Sequence, residues 1–338
     1  MIEFSCFLIA AFSCTIELFN DNIRRMTKMD WNEFYDETNN SYFNGIVLND
    51  KSYYILDIVS ANSKSRFLSY GLEVSSAKIL IESSLFYNNS YNDGGCNIHI
   101  ESNGNIVQKR VCAYKCSASG SGQHCYIRTS FNQEEKNYNI ESSYSNLVNS
   151  NGDSPIVHSY SKVIVKRVNI SYCYTNTVSG FWLADSNFKG NMTYSLFSSN
   201  NASHNNCFKL CNSYNFRIIN CNIINNNVSD QLILIYGGTF EFIDCSITNN
   251  NADNKFWIAR SGDYTVISCI YDFEISNEHI AQSAQDLDSY VFEDQLTFYE
   301  TAECGPISIL EDTNTSIVDF IISLINNPTK RVPSLLSK

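Results

Sequence analysis

Thirteen cysteines and five histidines are the residues of this chain with the most chemistry to offer. The histidines are His99, His124, His158, His204 and His279. They are too scattered for the short spacing of a metal-binding or catalytic pair. His99 stands in the alternating run CNIHIES and reads as an outward strand residue. Asp185 in LADSN, Asp244 in FIDCS and Asp263 in RSGDY are single acids at turns. Asp244 and Asp263 could face one groove from neighbouring repeats, as the paired carboxylates of a glycan-cleaving enzyme must. The cysteines include two CxxxC pairs, Cys112/Cys116 and Cys207/Cys211, but no CxxC of the zinc-binding kind. P-loop, GxSxG, HExxH and dinucleotide fingerprints are absent. No catalytic, cofactor-binding or metal-binding set is therefore expected, and no cofactor. Lys109–Arg110 and Lys166–Arg167 form a repeated basic pair, read as a solvated strand face or as a contact for a sulfated or acidic glycan.

The elements that would position these residues follow from internal repetition. Phe216–Asn227 reads FRIINCNIINNN and Phe240–Asn251 reads FEFIDCSITNNN. In this alignment Phe216 matches Phe240, Ile218 matches Phe242, Cys221 matches Cys245 and Ile223 matches Ile247. YTVISC, ending at Cys269, continues the series. VKRVNISYCYTN at Val165–Asn176 matches QKRVCAYKCSAS at Gln108–Ser119, two repeats away. One landmark per copy gives Phe86, Tyr114, Tyr144, Cys173, Phe197, Ile223, Ile247 and Ile270, spaced 23 to 30 residues apart.

Each copy holds short apolar runs of period 2 separated by Asn, Ser and Asp, which means strands and turns. The 43 Asn residues also argue against a helical protein. Leucines do not recur as a leucine-rich repeat requires. The pattern predicts an all-β chain, a right-handed single-stranded parallel β-helix of about eight to ten coils with irregular terminal caps. Coils stacked about 4.8 Å apart would align Cys221, Cys245 and Cys269 as one ladder of buried free thiols, too widely spaced for a disulfide. A bridge among Cys96, Cys112, Cys116 and Cys125 fits a secreted protein, with the pairing left open.

The repeats LFYNN, LFSSNN and NIINNN, with Gly94–Gly95 and Gly237–Gly238, resemble the F-x-x-N and G-G motifs of polymorphic outer membrane protein repeats. Those repeats occur in chlamydial surface proteins and in expanded families of secreted or surface β-helix proteins in parasitic protozoa. The high Asn, Ser, Tyr and Cys content is closer to the protozoan group. The resemblance covers residues 75–270 and implies a non-enzymatic adhesin-like or host-interaction role, with a host-cell or extracellular glycan or protein as partner. A β-helix polysaccharide lyase or glycoside hydrolase is the alternative, and a truncated paralogue without activity of its own is another.

Residues 1–16 read either as a weak signal peptide, with Glu3 where a positive charge belongs, or as a hydrophobic first strand. Residues 17–75 are expected to hold an N-terminal cap and first coils, 76–275 the β-helix, and 276–338 an acidic cap covering the last coil's edge. Between Arg260 and Lys330 there is no Lys or Arg. That stretch accounts for the net charge of -12 and disfavours nucleic acid as a partner. No apolar stretch is long enough to span a membrane; Ile317–Ile325 reads as a capping strand or helix. A secreted or cell-surface location is expected, and the sequons at Asn88, Asn169, Asn191, Asn201 and Asn227 are possible glycosylation sites there. Sequons are about as frequent as chance supplies in so Asn-rich a chain.

Overall fold

The structure, a computed structural model, describes residues 33–35, 41–42, 53–56, 58–70 and 77–282, except 102, 131, 133–134 and 187–188. The expected segment 1–16 and nearly all of the acidic segment, including Ile317–Ile325, lie outside them. The described chain is all-β, its parallel strands stacked as a solenoid of about eight turns, as the repeat predicts.

Each coil visits up to four strand positions, here called a, b, c and d. In one coil a is residues 216–219, b is Asn222–Ile224, c is Asn227–Val228 and d is residues 231–236. In the later coils d runs into the next a without a break, giving the long strands Asn206–Ile219, Gln231–Ile243 and Asn254–Ile267. Inward b residues stack as one ladder from Phe86 through Ala113, Tyr144, Ile170, Phe197, Ile223 and Ile247 to Tyr271. Three sequence landmarks are thereby corrected: Tyr114, Cys173 and Ile270 give way to Ala113, Ile170 and Tyr271. Tyr114 and Ile270 flank the inward position on their own strands. Cys173 sits at the following corner, where an inward apolar residue looks the same to a period-2 reading.

Two corners per coil are built to one plan. Between a and b, and again between b and c, two residues intervene. The first takes positive φ and the second points inward. In the coil above, Asn220 (φ 53°) precedes Cys221, and Asn225 (φ 57°) precedes Asn226. Asn tolerates this backbone better than most L-residues because its short amide bonds locally. The triple Asn thus divides its labour: Asn225 turns the chain, Asn226 is buried, and Asn227 opens the c strand on the surface. Chain length varies only at the other two corners. Ala118 and Ser121 leave two residues between c and d, whereas Tyr91 and Ile98 leave six. Coils consequently range from 24 residues (Asn222 to Ser246) to 31 (Cys112 to Ser143). The two Gly-Gly pairs stand at different corners. Gly95 (φ 65°) precedes a d strand, and Gly237–Gly238 (φ 79° and 87°) turn the chain from d to a.

Most of the interior is one apolar column. Phe197 and Phe208 meet edge to face with ring centres 4.5 Å apart, and Phe181 packs on both. Outside, Phe34 and Tyr35 cover Tyr54, Leu80 and Val107 on the a face, and the Tyr35 hydroxyl donates to Ile79 O at 2.9 Å. Outward b side chains such as Ser145, Ser171 and Asn222 are shielded from solvent as well. On the d face Val157 is buried, while Trp257 near the far end is 48% exposed.

Candidate functional site

The ladder residues singled out in the sequence lie where the repeat puts them. Phe216 pairs with Phe240, Ile218 with Phe242 and Ile223 with Ile247, all fully or almost fully buried. Cys221, Cys245 and Cys269 are free and buried. Each thiol donates to the carbonyl two residues earlier, Cys221 to Ile219 O (3.3 Å), Cys245 to Ile243 O (3.3 Å) and Cys269 to Ile267 O (3.4 Å). Ser84, Ser142 and Ser195 occupy the same corner in earlier coils and donate to the equivalent carbonyl. Burial raises Cys245 well above the ordinary thiol range, and all three sulfurs are shut away from solvent as packing groups. Cys96, Cys116, Cys125, Cys207 and Cys211 are free as well; Cys112 is disulfide-bonded, and none of the other nine described cysteines is its partner.

Two histidines are interior residues that the sequence reading left unassigned. His124 donates from Nε2 to Gln108 Oε1 and accepts at Nδ1 from Asn97, both at 3.0 Å. Its ring stacks on Tyr144 with centres 4.7 Å apart. His158 donates from Nδ1 to Asn137 Oδ1 at 2.5 Å. Both are completely buried, and burial pushes both down to about 3, so both are neutral. His124 belongs to a polar plug in the core that, through Asn97 and Gln108, also takes in Asn89 and Cys125. His99 does face outward, stacked on Tyr126 at 5.1 Å.

The acids do not converge. Asp263 opens an a strand and Asp244 follows the end of one, so the width of the a sheet separates them. Asp185 sits at a d-to-a corner, accepting from Asn212 at 2.8 Å. The basic pair recurs two coils apart as expected, with Lys109 and Lys166 both in register with Ile140. Its charges are largely matched: Arg110 and Arg167 share Glu141 (3.3 and 3.4 Å), and Lys109 meets Glu33 at 2.7 Å. Among the sequons, Asn88 and Asn227 are exposed, Asn191 and Asn201 half-buried, and Asn169 buried with its amide on Ser143.

The most unusual surface lies along d. Outward residues stack in register as His99, Tyr126, Val157, Trp182, Lys209, Leu234 and Trp257. Three cations there sit on aromatic rings. Arg128 lies 5.1 Å from the Tyr160 ring centre and donates to its hydroxyl at 3.0 Å. Lys209 Nζ is 3.9 Å from Trp182, and Arg260 is 4.3 Å from Tyr236. Rings of this kind offer flat apolar platforms with polar rims. Sequence reasoning missed the row because its members differ in type from coil to coil, and only the register brings them together. Among the described residues no helix is long and apolar enough to cross a membrane. No family model, curated protein or solved structure matches the chain.

Proposed function

We propose that this protein is a non-enzymatic, secreted or cell-surface β-solenoid with an adhesin-like role, binding an extended partner along its outer d face. One observation carries the reading: Tyr126, Trp182, Lys209, Leu234 and Trp257 lie on one in-register outward row of the d sheet, interrupted only by the buried Val157. A rigid array of this kind suits many weak contacts made at once, because each coil adds a binding element at a fixed spacing. The acids that a glycan-cleaving enzyme would need stand at separate corners, which favours binding over hydrolysis as the role of the fold. The resemblance to polymorphic outer membrane protein repeats points the same way. The test has two arms. Protease added to intact producing cells should degrade a C-terminally tagged chain, or the chain should appear in the medium. Purified protein should bind target cells, and Trp182→Ala/Trp257→Ala should lose most of that binding while keeping the β-rich circular dichroism spectrum. A protein protected inside the cell, or a double variant that binds as well as the parent, would overturn the proposal.

A further inference from the structure

Two kinds of partner recur among the cations of the described solenoid. Arg66, Lys109, Arg110, Arg167 and Arg217 lie against carboxylates, so their charge is largely matched within the fold. On the d side Arg128, Lys209 and Arg260 lie over aromatic rings; elsewhere Lys115 lies over Tyr114 and Lys78 and Lys136 over Tyr35, while Arg66 and Lys109 have a ring as well as a carboxylate. A ring holds a cation in place without neutralising it, which leaves the N–H groups and the full charge for an outside anion. The three pairs on the d side follow a period. Arg128 and Tyr160 belong to successive coils, as do Trp182 and Lys209, and then Tyr236 and Arg260. One pair therefore recurs every two coils, roughly 10 Å apart at the spacing of stacked strands, with Lys209 and Arg260 two coils apart and Arg128 three coils before Lys209. An extended polysaccharide repeats its disaccharide over a similar length. Resting on the binding role proposed above, we infer that the d face recognises an anionic glycan with one sulfate or carboxylate per disaccharide, lying along the solenoid axis. Each ring takes a sugar face and each cation the charged group beside it. Glu101 stands in register with Arg128 and weakens that end of the row, so Lys209 and Arg260 are the stronger positions.

The experiment is binding of the full chain to size-fractionated heparin oligosaccharides. Affinity should rise from disaccharide to hexasaccharide, which spans the three pairs, and then flatten. Lys209→Gln/Arg260→Gln should lower hexasaccharide affinity at least tenfold and make it less sensitive to salt. Lys166→Gln, an exposed cation on an a strand, should change nothing. Equal binding of an uncharged cellulose hexasaccharide would overturn the inference, as would Lys166→Gln weakening binding as much as the double variant. If heparin fragments do not bind but cell adhesion is still lost in Trp182→Ala/Trp257→Ala, the glycan assignment falls and the adhesin reading stands. If adhesion also survives that change, both fall.

Discussion

Asn226 uses every polar atom of its side chain. Its Oδ1 accepts from Asn200 N–H at 3.0 Å, and its amide donates to Phe197 O (3.0 Å) and Asn250 Oδ1 (2.9 Å). Replacing it with Leu strands buried partners on both sides. Asn226→Leu should therefore lower stability by about 2–4 kcal/mol in urea titrations, whereas Asn225→Gly, at the positive-φ corner, should be close to neutral. The interior histidines make the fold acid-sensitive. Their folded values near 3 lie below the ordinary 6.5, so the unfolded chain takes up protons first. Their contribution is fully present above about pH 6.5 and is lost progressively as pH falls towards 3. Urea midpoints measured across that window should drop, and His124→Gln/His158→Gln should flatten the slope even if it lowers the midpoint at neutral pH. Neither histidine was legible from sequence. Interior and exterior alternate along a strand, and the bulge between Ser121 and Cys125 breaks the alternation beside His124.

At the scale of the corner, the thiol ladder is interchangeable with serine. The fold already places Ser195 where the next coils place Cys221 and Cys245, with the same bond to the carbonyl two residues back. Cys245→Ser should change stability by no more than about 1 kcal/mol, and Cys245→Ala by more, since it removes the donor. Native protein treated with a thiol reagent at neutral pH should leave the nine free described cysteines unlabelled, and unfolding in guanidinium should expose them together. The ladder was legible because Cys221, Cys245 and Cys269 recur at one spacing between apolar strands. The corner rule was only half legible. NNN announced a turn, but the separate jobs of its three residues depend on which amide the next coil can reach.

For the molecule as a whole, the repeat is a unit that can be removed. Asn220 and Asp244 occupy the same positive-φ corner in successive coils. Deleting residues 221–244 joins Asn220 to Cys245 with every ladder in register. The shortened protein should fold with the same spectrum, unfold cooperatively, and be shorter by one strand spacing, about 4.8 Å, in small-angle scattering. It should also lose Tyr236 and with it the ring under Arg260. The solenoid itself was legible from periodicity. The d face was not, because the contrast between matched and unmatched cations is a property of packing between coils. The corners that admit extra chain, c to d and d to a, border that same face, while the a-to-b and b-to-c corners hold two residues from coil to coil. Foreign peptides spliced beside d should therefore be carried without disturbing the stack, which makes the chain a natural scaffold for grafted loops, with neighbouring inserts presented side by side at strand spacing.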